Sequence, residues 1–247
     1  MRAAVRRRFP AMIVILRAAD RGATHSAGLD SRHAFSFGRY HDPQRMGFGA
    51  LRVLNEDRLA PGAGFPPHRY ANMEILFWVA GGEIDFIEAS GHRTRLLAGS
   101  LLRVSAGAGV ECALINPSLE SPAHLIQFWI QPDSLNAASG AAWLSVSDGK
   151  RGGGLRLLAS RDGRDGSLPL RQDANLCVAS FAPGERVMRS FVSDRRAWLQ
   201  IVHGRIELDD YMLAAGDAAM IEPAGEIVVA ADESAEVLLL DLGQGSR

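Results

Sequence analysis

Two stretches of this chain repeat one another, and the repeat restricts the fold more than any other feature of the sequence. Residues 75–84 are echoed by residues 198–208, and residues 96–104 by residues 213–221, with Gly81 set against Gly204 and Gly99 against Gly216 at the turns. A chain of 247 residues has room for two modules of ordinary domain size, so the echo predicts one small fold built twice. Within the first copy, apolar runs such as Leu76-Phe77-Trp78-Val79 and Ile84-Asp85-Phe86-Ile87 are cut by Gly81-Gly82 and by Gly99. Short runs between closely spaced turn residues read as strands of a sandwich or barrel. Helical stretches are few. The expected class is all-β, as two tandem jelly-roll β-barrels.

The first copy also carries a spaced set of polar residues: Gly62, five residues, His68, one residue, Tyr70, three residues, Glu74, six residues, Gly81. Side chains at i and i+2 of a strand share a face, so His68, Tyr70, Asn72 and Glu74 are expected on one inner wall of the barrel. The spacing resembles the first cupin motif with its second histidine replaced by Tyr70. A second motif runs from Gly99 through Ser105-Ala106-Gly107 into a strand over residues 112–116, where cupins place a further histidine and this chain has Cys112. Imidazole, phenolate and thiolate are all metal ligands; thiolate favours zinc or copper, whereas oxygen and imidazole donors suit iron. The phenol and the thiol must both lose protons to bind. His68, Tyr70 and Cys112 are therefore a candidate metal set if a metal is retained, with Glu74 as a substitute carboxylate. The competing reading is a pocket without a cofactor, in which His68 pairs with Tyr70, Asn72 or Glu74 and Cys112 is a small apolar filler. A buried Glu74 without a metal needs a donor or has its pKa raised by desolvation.

The likeness extends well beyond the two motifs. Leu29-Asp30-Ser31-Arg32-His33-Ala34-Phe35-Ser36-Phe37, Asp42-Pro43, Met46-Gly47-Phe48 and Leu51-Arg52-Val53-Leu54-Asn55-Glu56-Asp57 resemble the amino-terminal signature of the pirin family. Met73-Glu74-Ile75, Ser105-Ala106-Gly107-Ala108-Gly109 and Asn116-Pro117 continue it, and residues 159–172 are similar to the opening of the second half in the bacterial quercetinase-like branch. The resemblance covers roughly residues 12–242 and implies two tandem cupin barrels, at 12–133 and 155–247. Residues 134–154, rich in Gly, Ser and Ala, are expected to be a linker, and residues 1–11 a disordered extension or a segment before the native start.

In pirins, iron or another divalent metal is held by His-x-His on the first motif and His-x-Glu on the second, four positions that fall here on His68, Tyr70, Cys112 and Leu114. His68 alone is unchanged, and Leu114 has no donor atom. The resemblance brings His33, Gln127 and Trp129 toward the same cavity, so the expected pocket is His33, Asn72, Glu74, Gln127 and Trp129; no residue is singled out as catalytic. It also implies two kinds of activity: a flavonol dioxygenase, whose metal binds the flavonol oxygens before dioxygen adds, or a metal-sensing regulator that binds a partner protein. With three of the four ligand positions substituted, the expectation is a pirin-like bicupin without standard dioxygenase activity. It would act as a pocket for a flavonoid-like small molecule or as a protein-binding module, with no cofactor. The alternative is a quercetinase-type enzyme with an altered ligand set holding one divalent transition metal (Fe, Zn, Cu or Ni). The second barrel has no ligand cluster and is expected to bury one face of the first.

Composition narrows the remaining classes. A formal net charge of −1 gives no basic surface for nucleic acid. The apolar run Met12-Ile13-Val14-Ile15-Leu16 is too short to be a signal sequence core or a membrane span and is followed at once by Arg17. Two cysteines, one in each half, give no disulfide framework, so a reducing cytoplasm is the expected setting.

Overall fold

A computed structural model describes residues 12–146, 154–192, 194–222 and 225–244. Among these residues strands dominate, and the helical content is confined to short 3-10 turns at Ala18–Asp20 and Arg164–Gly166. The strands form two barrels of the same plan. In the first, a seven-stranded sheet runs in the order Gly140–Ser145, Ser100–Ser105, Glu74–Gly81, Ala123–Ile130, Leu51–Leu59, Leu29–His33, Gly22–Ser26. It faces a four-stranded sheet of Gly64–Tyr70, Val110–Ile115, Glu83–Glu88 and Arg93–Leu97. The second barrel repeats this with seven strands centred on Arg196–His203 and Ala235–Leu242, and four strands of Arg186–Ser190, Glu226–Ala230, Arg205–Leu208 and Tyr211–Ala214.

The strand Glu74–Gly81 shows why its sequence reads as one apolar run. Ile75, Phe77 and Val79 point into the first barrel's core, whereas Leu76 and Trp78 point the other way, into a third core shared with the second barrel. A strand covered on both faces loses the usual alternation of apolar and polar residues. That shared core also takes Leu54, Ile126 and Phe128 from the first barrel and Leu176, Val178, Trp198, Leu238 and Leu240 from the second. The two large sheets therefore pack face to face. Hydrogen bonds cross the same interface: Trp78 Nε1 donates to Glu236 Oε1 at 3.0 Å. Arg21, whose side chain is buried, donates to Glu56 Oε2 at 3.1 Å and to Gln200 Oε1 at 2.5 Å.

Three details differ from the sequence reading. Part of the stretch read as a linker, Gly140–Ser145, is an edge strand paired with Ser100–Ser105. Its Ala142 and Leu144 pack on the shared core while Trp143 is exposed, an alternation hidden by small neighbouring residues. Residues 147–153 of that stretch, like residues 1–11, lie outside the described residues. Second, Met12–Leu16 does not join the barrel that follows it in sequence; it pairs with Ala218–Glu222 at the matching edge of the second barrel, with Ile13 and Ile15 against that barrel's core. Third, the glycine that matches Gly204 (φ 73°) in the hairpin is Gly82 (φ 71°), one residue beyond Gly81. Both sit in the left-handed region that a Cβ disfavours.

Candidate functional site

The two strands that carry the motif positions lie side by side at one wall of the first barrel. Gly64–Tyr70 pairs antiparallel with Val110–Ile115, so that His68 stands opposite Cys112 and Tyr70 opposite Val110; a bulge follows Cys112, and Leu114 then pairs with Phe65. Directly opposed residues project to the same face. The structure thus brings His68, Tyr70 and Cys112 together, but in unlike surroundings. His68 is exposed, Tyr70 half-buried, Cys112 buried in the barrel core and Leu114 fully buried there. Burial pushes the Cys112 thiol up to about 11, with the Glu88 charge adding to it. Burial likewise pushes the Tyr70 phenol up to about 12, with Cys112 as the second cause. Among the described residues, no three His, Cys, Asp or Glu side chains are grouped so as to hold a metal ion.

Glu74 is not on this wall. The strand carrying His68 ends at Tyr70, Asn72 takes a left-handed conformation (φ 52°), and a strand of the other sheet begins at Glu74. The i, i+2 expectation for four residues therefore breaks after the second. Glu74 faces the second barrel, buried, and accepts a hydrogen bond from Ser105 Oγ at 2.8 Å. Burial raises its pKa, against the lowering by that bond and by Arg103. Asn72 also leaves the expected pocket: its side chain pairs with Asn136, accepting from the Asn136 backbone N–H at 2.7 Å.

The inner face of the large sheet carries the remaining expected residues. Trp129 Nε1 donates to Gln127 Oε1 at 3.2 Å, Gln127 Nε2 donates to Asp57 Oδ2 at 2.5 Å, and Ser31 Oγ donates to Asp57 Oδ1 at 2.5 Å. Among the described residues, no cationic side chain is bonded to Asp57. Burial pushes its carboxyl up to about 7, with Ser31 and Gln127 pulling down. His33 is buried with both nitrogens engaged, Nδ1 with Asn55 Oδ1 and Nε2 with Thr24 Oγ1, each at 2.8 Å. Burial lowers its pKa, with the Asn55 hydrogen bond working against that; in that bond Nδ1–H donates to the amide oxygen. A chain of ring contacts connects the two walls: His68 to Tyr70 at 4.6 Å, Tyr70 to Trp129 at 5.4 Å, Trp129 to Phe37 at 5.5 Å and Phe37 to His33 at 5.3 Å.

Sequence reasoning passed over Asp57 and Phe37 as site residues. The signal for Asp57 was present: Asn55, Asp57 and Leu59 alternate along one strand, and Leu59 belongs to the barrel core. A cavity beside this wall, about 820 Å³, is lined by Tyr70, Phe86, Val110, Glu88, Glu111 and Arg69 among others. It takes in Tyr70 but not His68, Cys112, Gln127 or Trp129.

Comparison with known proteins agrees with the fold. Residues 16–130 match the family described as Pirin, and residues 157–242 match the family described as Quercetinase C-terminal cupin domain. The chain is 36% identical over 231 residues to quercetin 2,3-dioxygenase of Escherichia coli K12, covering 94% of this chain and 99% of that protein. It is 37% identical to a pirin-like protein of Caulobacter vibrioides, over 89% of this chain and 94% of that one. Among solved structures, the bacterial pirin YhhW of Escherichia coli in complex with nickel(II) superposes with a TM-score of 0.88 at 35% identity, covering 94% of this chain and 99% of that chain. Among the described residues no helix is long and apolar enough to cross a membrane.

Proposed function

The chain belongs to the pirin family, and from that premise we propose that its first barrel is a pocket for a flavonoid-like small molecule and has lost the resident metal of its dioxygenase relatives. The observation that carries this reading is the fate of the four ligand positions: one exposed imidazole, a phenol at about 12, a thiol at about 11 and a buried Leu114. This set does not fit a divalent metal. At pH 7, ionising the thiol would cost at most about 5 kcal/mol and the phenol about 7 kcal/mol. Both protons must leave before either group can bind an ion, and Leu114 brings no donor to offset that cost. Glu74, on the opposite face of the other sheet, does not supply a carboxylate.

What the wall offers instead is aromatic surface. The cavity beside Tyr70 has the size of a typical small-molecule site. Tyr70 gives it a ring face, and Glu88 and Glu111 give it acceptors for phenolic hydroxyls. Offset or edge-on stacking on such rings contributes about 0.5–1.5 kcal/mol per pair beyond area burial. The test is quercetin added to protein as purified: a saturable rise in Tm, absent in Tyr70→Ala, with no oxygen uptake. Oxygen uptake that is lost in His68→Ala would overturn the reading. It would favour the second one, a flavonol dioxygenase with an altered ligand set, for which the direct cross-strand placement of His68 and Cys112 speaks.

A further inference from the structure

A second cavity, about 420 Å³, opens between the barrels, away from the Tyr70 wall, lined by Gly49, Arg52, Gln131, Asp133, Gln172 and Arg196 among others. Interfaces between domains are preferred places for small-ligand sites of this size. Its charge is unbalanced. Arg52, on the first barrel, is bonded only to neutral acceptors: its Nε and Nη2 donate to Gln131 Oε1 at 3.2 and 2.9 Å, and its Nη1 donates to the Gly49 carbonyl at 2.9 Å. Arg196, on the second barrel, spends only Nε on a carboxylate, Glu222 Oε1 at 2.5 Å, and its guanidinium lies 6.0 Å over the Phe48 ring. Its Nη1 lies 3.4 Å from where a Cβ on Gly49 would sit. The two arginines, one from each barrel, line the same cavity and both approach Gly49, Arg52 at its carbonyl and Arg196 beside its Cα. The carboxylate on the lining, Asp133, is engaged by Arg161 at 2.5 Å.

Among the described residues both Nη groups of Arg196 are without a hydrogen-bond acceptor, and such a pair in a cleft can take a planar or tetrahedral oxyanion through two parallel N–H bonds, with Arg52 adding positive charge to the same lining. Gln131 adds a side-chain amide with no acceptor bonded to its nitrogen among the described residues. We infer that the inter-barrel cleft binds a small carboxylate- or phosphate-bearing anion between Arg52 and Arg196. Such a ligand bridges the barrels. Gly49, at φ 59°, lets the loop turn beneath both of them without a side chain in the cleft.

The test is calorimetric titration of the full chain with inorganic phosphate and, separately, malonate, each against sodium chloride at equal ionic strength. Saturable binding of one equivalent is expected, and the stronger probe identifies the anion class. Arg52→Gln and Arg196→Gln should each weaken it by about tenfold or more, the loss of one charge-assisted bond, while the Tm without probe stays near that of the parent. On the parent protein, the same anion should protect Arg52 and Arg196 from phenylglyoxal, read by mass spectrometry. Absence of saturable binding, full binding in both variants, or modification unaffected by the anion would each overturn the assignment.

Discussion

The buried Asp57 gives the sharpest quantitative expectation. Its carboxyl stands at about 7 in the folded barrel against an ordinary value of 3.8, because burial disfavours the charge and no cation compensates. A carboxyl raised on folding binds more protons in the folded state, so it lowers stability as pH climbs from about 4 to about 7, at about 1.36 kcal/mol per unit. Above that window the full cost, about 4 kcal/mol, is present. Asp57→Asn removes the titration while keeping the shape. Gln127 can still donate to the amide oxygen, and the Ser31 hydroxyl can turn to accept from the amide nitrogen. Urea unfolding of both proteins at pH 5 and pH 8 reads the difference directly. The stability of the variant relative to the parent should rise by about 3 kcal/mol between those two values, since roughly two units of the window lie between them. An offset independent of pH, or one that shrinks toward pH 8, would refute the placement of an uncompensated carboxyl in the barrel.

Other substitutions test other parts. Glu56→Gln removes the carboxylate bonded to the buried Arg21 and leaves only the more distant charge of Asp217; breaking a buried pair from one side costs up to about 3–5 kcal/mol, to be read as a lowered urea midpoint. On the proposed reading, Tyr70→His, Cys112→His and Leu114→Glu together should create tight divalent-metal binding in calorimetry. The same triple variant without metal should be less stable than the parent, since Leu114 is fully buried; a variant that binds no nickel or iron would show that the wall geometry does not suit a metal whatever donors it carries. Gly204→Ala should lower the Tm clearly, because its Cβ would fall 2.1 Å from the Ser234 carbonyl oxygen at a positive φ.

Much of this architecture was legible because strand period and turn glycines are local properties. The run Leu76 to Val79, the hairpin glycines and the repeat of both in the second half led to two barrels. What stayed hidden depends on non-local pairing. No periodicity says that Met12–Leu16 crosses to the second barrel, since that choice is set by which sheet edge lies open beside Ala218–Glu222. The same holds at the site. Spacing placed His68 and Tyr70 on one face correctly, but extending it to Glu74 failed at Asn72, where one left-handed residue sends the chain to the other sheet. The residue types at positions 68, 70, 112 and 114 were plain in the sequence. Their protonation was not, because the values of Tyr70 and Cys112 follow from burial in the assembled barrel.

The central claim is that the wall carrying His68, Tyr70, Cys112 and Leu114 does not hold an ion, and elemental analysis of protein purified without chelators or added metal salts tests it most directly. The account predicts iron, nickel, copper and zinc far below one per chain, unchanged in His68→Ala. One equivalent of any of them in the parent protein, lost on that substitution, would contradict it.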